Sequence, residues 1–109
     1  MNSRDKGKRG EREWAEECRK HGYLEARRGV QFAGGADSPD VVGLPGFHCE
    51  VKRTENLSVY KAMEQSEHDS AGRAVPLVAH RRNNRPWLVV LRAEDFFRLI
   101  AKEPNDSSS

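Results

Sequence analysis

The segment 38–53, SPDVVGLPGFHCEVKR, restricts the fold most because it predicts two short strands joined by a turn. Pro45 fixes one backbone angle and Gly46 leaves the next one free, which favours a tight turn between residues 40–44 and 47–53. The second strand alternates apolar and polar side chains: Phe47, Cys49 and Val51 against His48, Glu50 and Lys52. Because successive strand side chains point to opposite faces, one face should pack on the core and the other should carry the polar groups.

The rest of the chain predicts helices and strands around this hairpin. The pattern indicates a helix over residues 10–21 closed by Gly22, a strand over 23–28, a helix over 59–70 begun at Ser58, strands over 75–80 and 86–91, and a last helix opened by Glu94 and Asp95. An Asn-Asn pair between the last two strands tolerates positive φ and suits a hairpin turn. The order α-β-β-β-α-β-β-α predicts an α/β (α+β) fold, a mixed sheet of about five strands flanked by helices.

Length and composition limit the classes of protein that the chain can represent. With 109 residues the chain is long enough for one domain with a modest core, which excludes large multi-layer enzymes. We expect a flexible basic arm over residues 1–8, one domain over 9–102 and a disordered tail over 103–109. No apolar run is long enough to cross a bilayer, and Cys18 and Cys49 fit buried free thiols, so we expect a cytoplasmic protein. The histidines are spaced too widely for a standard zinc site.

Glu11 occupies an unusual place for an acid. Helical spacing puts it on the same stripe as Trp14 and Cys18, three and seven residues further on. A first-turn glutamate that favours the helix dipole is one explanation. The alternative is that Glu11 lies close to other acidic residues in the folded chain.

Asp40 and Glu50 lie on neighbouring predicted strands, so their carboxylates can approach across the ladder. Two close carboxylates repel each other unless a cation lies between them, and Mg²⁺ prefers a few carboxylate oxygens together with water and phosphate. Lys52 could orient a water molecule or offset charge in a transition state. A surface ion pair on a half-exposed sheet is the competing interpretation.

The spacing of these residues resembles the motif of the PD-(D/E)xK nuclease superfamily. Pro39-Asp40 is followed, after nine residues, by Glu50-Val51-Lys52. The superfamily core is a helix, three strands, a helix and another strand, with the motif on the second and third strands. The resemblance therefore implies a restriction-endonuclease-like fold and metal-dependent hydrolysis of phosphodiester bonds.

Within that superfamily the chain is most similar to the archaeal-type Holliday junction resolvases and their phage relatives. KGKRGERE, residues 6–13, looks like the family's N-terminal helix motif, in which the first glutamate of Glu-Arg-Glu, here Glu11, belongs to the metal site. Arg12 would match a phosphate-contacting arginine. HGYLEARR, residues 21–28, resembles the stretch that leads to a second family arginine, best matched by Arg27, with Arg28 as the position shifted by one residue. The Gly- and Ser-rich segment before Asp40 is also similar.

The resemblance implies a set of roles for the site. Asp40, Glu50 and Glu11 would hold Mg²⁺ or Mn²⁺, and Lys52 would position or activate water. Backbone phosphates would lie against clustered cations, which fixes register without reading bases; these are Arg12, Arg27, Arg28, Lys8, Arg9, Arg81, Arg82 and Arg85. Because a four-way junction must be nicked twice, we expect a C2 homodimer. Its interface would use the helix carrying Phe96, Phe97, Leu99 and Ile100, unless these side chains complete the core. We expect neither an organic cofactor nor a membrane partner.

Two residues near the predicted site have less certain roles, and other functions stay open. Gln65 could assist the metal site or face solvent, and His48 suits a sheet-edge or substrate-proximal position better than catalysis. The second helix, with EQSEHDS, is more acidic than junction binding would favour. A nickase, a flap- or end-directed nuclease, a non-catalytic DNA-binding protein of the same fold and a plain interaction module are the alternatives.

Overall fold

A computed structural model describes residues 3–29 and 38–102, with side chains from Lys6 onward. Its elements are α1 (Ser3–Lys20), β1 (Arg27–Arg28), β2 (Val41–Val42), β3 (Phe47–Arg53), α2 (Val59–Ser70), β4 (Val75–Arg81), β5 (Leu88–Val90) and α3 (Ala93–Ala101). Most of the predicted Gly-rich loop and the predicted tail over 103–109 lie outside the described residues. None of these helices has the length and apolar character needed to span a membrane.

The described strands form one mixed five-stranded sheet in the order β1-β2-β3-β4-β5. The two hairpins, β2–β3 and β4–β5, are antiparallel, as is the β1–β2 pair. β3 and β4 run parallel over their whole length, with α2 as the crossover between them. The predicted fold class and element order are confirmed, and β3 is the central strand.

The sheet has a different helix on each face. Trp14, Ala15 and Cys18 of α1 pack against one face together with Cys49 and Val51 of β3. On the other face Ala62 and Met63 of α2 pack against Val78 of β4. The predicted alternation in β3 is therefore correct, but its polar face is not solvated: His48 and Glu50 are buried beneath α2. This burial raises the pKa of Glu50.

α1 begins at Ser3, seven residues earlier than predicted, so part of the expected flexible arm is helical. Long charged side chains favour helix, and Arg9 pairs with Glu13 one turn later. Gly10 does not interrupt the helix because it lies against β3, where an added Cβ would stand 2.6 Å from the Cβ of Arg53. The other end of α1 is as predicted. Gly22 has φ +99°, and the Gly22 and Tyr23 N–H groups bond back to Arg19 and Cys18, which is a Schellman motif.

The outer strands are shorter than predicted. The strand expected over 23–28 is only Arg27–Arg28, because Ala26 N–H bonds to Tyr23 O in a turn. β2 ends at Val42, because Gly43 turns the chain with φ +94° and lies so near Glu25 O that a Cβ would be 2.3 Å away. At the β4–β5 turn Asn84 has φ +60°, as its sequence context predicts.

Two helices differ in detail from their predictions. Ser58 does precede α2, but its side chain makes no capping hydrogen bond, and Val59, expected on the buried stripe, is 42 % exposed. α3 buries Asp95 rather than its apolar side chains. Phe96, Phe97 and Ile100 are about half exposed or more, which contradicts the alternative that they complete the core.

Candidate active site

Asp40 and Glu50 face each other across the β2–β3 pair. The two strands are antiparallel and Val41 is paired with Cys49. Asp40, the residue before Val41, therefore lies opposite Glu50, the residue after Cys49. The Asp40 N–H donates to Cys49 O at 2.8 Å, and a carboxylate oxygen of Asp40 accepts the Val51 N–H at 2.9 Å. These two bonds hold the Asp40 carboxylate over β3.

The two carboxyl groups both have raised pKa values. Burial raises the pKa of Glu50 to about 8, with the charges of Asp40 and Asp69 adding to the effect and Lys52 opposing it. Burial also raises the pKa of Asp40, the charge of Glu11 raises it further, and the Val51 N–H and Lys52 lower it. With a pKa of about 8, Glu50 is mostly protonated at neutral pH.

His48 lies in the central strand and not at a sheet edge, which corrects the sequence prediction. Its Nε2 is 3.1 Å from a carboxylate oxygen of Glu50, and both side chains are buried. Asp69 of α2 completes a buried group in which one ligand atom from each of the three residues lies within 4.8 Å of the others. Oxygen and imidazole ligands of this kind suit divalent metals.

Asp69 was not among the sequence candidates. The spacing that put Ala62 and Ser66 on the buried stripe of α2 reaches Asp69 and Ser70 when it is continued by three or four residues. Ser66 and Ser70 are buried too, and Ser66 Oγ donates to His48 O at 3.2 Å. Continuing the stripe would therefore have identified an acid aimed at β3.

Lys52 lies beside the acid pair on the same face of β3. Its Nζ donates to the side-chain oxygen of Gln65 at 3.2 Å. Its positive charge lowers the pKa values of both Asp40 and Glu50. Gln65, although exposed, is therefore a neighbour of Lys52 rather than a residue directed only at solvent.

Glu11 approaches the acid pair from α1. Its carboxylate accepts a hydrogen bond from Arg28 Nε at 2.9 Å, and the Glu11 side chain is only 20 % exposed. Arg27, the position favoured by the sequence resemblance, is exposed and donates to Glu25 O instead. Of this pair, Arg28 is the arginine joined to the acidic cluster.

The remaining predicted phosphate contacts lie on α1 and around the β4–β5 turn. Lys8 and Arg12 are exposed on α1, and Arg9 pairs with Glu13 at 3.4 Å. Arg81 Nε donates to Arg85 O within the β4–β5 turn, and Arg82 lies 3.8 Å from Glu55. Arg28 and Lys52 are the cations that interact with the acidic cluster among these described residues.

Both cysteines are free and buried, as predicted. Burial raises the pKa of the Cys49 thiol to about 12, so it stays protonated and has no nucleophilic character near neutral pH.

The comparisons with known proteins add no neighbour: no protein-family model, no curated protein and no solved structure matches the chain.

Proposed function

We propose that this protein is a metal-dependent DNA endonuclease of the PD-(D/E)xK type. The observation that carries the proposal is the facing pair of half-buried Asp40 and buried Glu50, whose pKa values are both raised, with the charge of Lys52 acting on both. Burying polar groups costs free energy, so a cluster of them is expected to serve a function. Neighbouring carboxyl groups with shifted pKa values are typical of functional sites. Glu11, on the facing helix, adds a third acid.

The residues present suit a divalent cation. Asp40 and Glu50 repel each other when both are ionised. Burial and this repulsion together raise the pKa of Glu50. Glu50, which belongs both to the facing pair with Asp40 and to the buried group with His48 and Asp69, would hold Mg²⁺ or Mn²⁺ together with Asp40, and Glu11 would contribute directly or through water. When bound, the ion would supply Lewis-acid polarisation of a phosphodiester and a lower pKa for water.

Lys52 would be the fourth group of the proposed site. It shares the face of Glu50, and its contact with Gln65 orients the ammonium group at the surface beside the acids. From there it can hydrogen-bond the attacking water or a phosphate oxygen that gains negative charge. Arg28 keeps the Glu11 carboxylate in place, which makes it a positioning residue.

A four-way junction is the proposed substrate because the N-terminal helix motif and the segment 21–28 resemble the resolvases. A homodimer would present two sites to such a junction. The exposed apolar side chains of α3 and of the edge strand β5 support this assembly, since exposed apolar side chains are suited to an interface. They are Leu88, Val89, Phe96, Phe97 and Ile100.

The test is cleavage of a labelled four-way junction beside linear duplex, flap and single-stranded DNA, in Mg²⁺, Mn²⁺ or EDTA. The variant is Asp40→Asn, whose amide oxygen can still accept the Val51 N–H. We expect nicks in the junction with either metal, none in EDTA and none from the variant. Glu94→Gln, which removes an exposed acid from α3, serves as the matched control and should cleave like the parent.

Activity in EDTA, or full activity of Asp40→Asn, would contradict the catalytic assignment. Cleavage of linear duplex as fast as the junction would remove the resolvase proposal and leave the nuclease. Tight junction binding with no product in either metal would favour a DNA-binding protein of the same fold.

A further inference from the structure

A group of cations gathers around Glu13 on the α1 side of the sheet. Arg53 Nε lies 3.0 Å and Arg81 Nη1 3.7 Å from one carboxylate oxygen of Glu13, and Arg9 Nε lies 3.4 Å from the other. Three guanidinium groups on one carboxylate leave an excess of two positive charges. Neither Glu13 nor Arg53 has a part in the acidic cluster.

A cavity of about 300 Å³ opens beside these groups. Its lining residues are Lys6, Arg9, Arg53 and Asn83. At one side Glu55 accepts the Asn83 N–H at 2.7 Å and lies 3.8 Å from Arg82. Counting both acids, the surroundings hold five cations (Lys6, Arg9, Arg53, Arg81, Arg82) against two anions (Glu13, Glu55), a net charge of +3.

Arg53 is held rigidly at this cavity. Its Nε donates to Glu13, its Nη1 donates to the side-chain oxygen of Asn83 at 2.9 Å, and its side chain is only 13 % exposed. A guanidinium has five N–H donors, so these two bonds leave others for a ligand. A fixed guanidinium fork with spare donors matches the oxygens of a phosphate group.

We infer that this cavity, the Arg53 pocket, binds a backbone phosphate of DNA. The choice of ligand rests on the proposed function. The pocket adds Lys6 and Arg53 to the cations named for phosphate contact, with Asn83 as a neutral polar neighbour. Glu13 is a positioning residue, because its carboxylate holds Arg9, Arg53 and Arg81 in one place.

The position of the pocket relative to Lys52 supports this ligand. Lys52 and Arg53 are consecutive in β3 and point to opposite faces of the sheet. They lie at the carboxyl end of the parallel pair β3 and β4, the end at which open sheets commonly bind ligands. Where a DNA strand crosses this edge, one nucleotide would contact Lys52 and another would contact Arg53. The pocket would therefore hold a different phosphate from the one that is cleaved.

The test measures binding of a fluorescein-labelled four-way junction to the full chain in EDTA over a series of KCl concentrations. The variants are Arg53→Gln and Lys6→Gln. We expect each to weaken binding about fivefold to tenfold at low salt and to lower the slope of log K against log salt by about 0.9, the value for one lost phosphate contact. Lys20→Gln removes the same charge from the exposed far end of α1 and should leave the slope unchanged.

Lys6→Gln guards against a purely structural effect, since it leaves the bonds between Arg53 and Glu13 in place. Unchanged slopes in both variants, or a slope change in Lys20→Gln of the same size, would overturn the pocket while metal-dependent cleavage could still stand. Altered slopes without cleavage in any metal would support the pocket and refute the nuclease. A chain that binds no DNA would overturn both.

Discussion

Asp40 and Glu50 stand opposite each other where the chain enters β2 and crosses β3, and the charge of Asp40 adds to the burial that raises the pKa of Glu50. Ionisation of Glu50 places a second negative charge beside Asp40 in a buried environment. The pKa of Glu50 is about 8, so this ionisation takes place above neutral pH.

In EDTA, the free energy of unfolding should fall as the pH rises from about 5 to 8. The folded chain keeps the proton of Glu50 up to a pKa of about 8, whereas the unfolded chain loses it near the ordinary glutamate value. Between the two values the folded state binds more protons, so each added pH unit removes at most about 1.4 kcal/mol. Urea denaturation of the parent and Glu50→Gln measures the slope, which the neutral amide should flatten. If the slope is equally steep in Glu50→Gln, or if Glu94→Gln flattens it as much, the titrating group is not Glu50.

Arg28→Gln and Arg27→Gln should affect different steps. Arg28 holds Glu11, so its loss should lower the single-turnover cleavage rate at saturating protein about tenfold, equivalent to about 1.4 kcal/mol. Arg27 contacts only a backbone oxygen of its own loop, and its loss should change affinity for DNA and leave that rate unchanged. Equal rates for the two variants would show that the bond between Arg28 and Glu11 has no bearing on catalysis.

Lys52→Gln should lower the cleavage rate by about 100-fold or more, the loss expected when one group that stabilises transition-state charge is removed. Gln65→Ala removes only the neighbour that orients Lys52 and should cost less than about tenfold. Single-turnover rates at saturating protein separate these effects from binding. Lys61→Gln, an exposed lysine of α2, is the charge control. If Lys61→Gln slows cleavage as much as Lys52→Gln, the loss of rate comes from the change in net charge and not from the position of Lys52.

Gly10→Ala and Gly7→Ala should change stability in opposite directions. An alanine Cβ at residue 10 would stand 2.6 Å from the Cβ of Arg53 and would push α1 from the sheet, at a cost of about 1 to 3 kcal/mol. Nothing lies within 4 Å of a Cβ at residue 7, so the better helix propensity of alanine should add about 0.5 to 1 kcal/mol. Urea denaturation gives both values. A stabilised Gly10→Ala would mean that α1 does not approach β3 this closely.

Phe97→Glu should dissociate the proposed dimer. Phe97 is 65 % exposed on α3, and an acid there would need to be desolvated at an apolar interface. Sedimentation velocity should show a slower species for this variant than for the parent. Leu24→Glu changes another exposed apolar residue, 75 % exposed after α1, and should leave sedimentation unchanged. A parent chain that sediments as a monomer while it cleaves junctions would refute the dimer.

Local patterns were enough to predict most of the scaffold. The alternation in β3, the proline and glycine of its turn and the crossover helix after Ser58 each follow from short stretches of sequence. The ends of β1 and β2 did not follow, because they depend on a contact between Gly43 and Glu25 that joins distant parts of the chain. α1 was predicted too short because the polar, basic residues 1–8 indicated a flexible arm, whereas the helix begins at Ser3 and Gly10 fits against Arg53.

The site was predictable only where residues lie on facing elements with clear periodicity. Asp40 and Glu50 were paired by strand register, and Glu11 by helical spacing. The choice between Arg27 and Arg28 depends on the twist of a two-residue strand, which no local pattern specifies. The depth of His48 and the approach of Asp69 depend on how α2 covers the sheet, which is a tertiary property.

The four acids of the cluster come from four separate parts of the chain: Glu11 from α1, Asp40 from the start of β2, Glu50 from β3 and Asp69 from α2. No fragment that lacks one of these parts can bring all four together. A growing chain on the ribosome, or one that has partly unfolded, would hold its acids apart in water. The acidic cluster therefore exists only in the complete fold, and loss of any one of these parts would dismantle it.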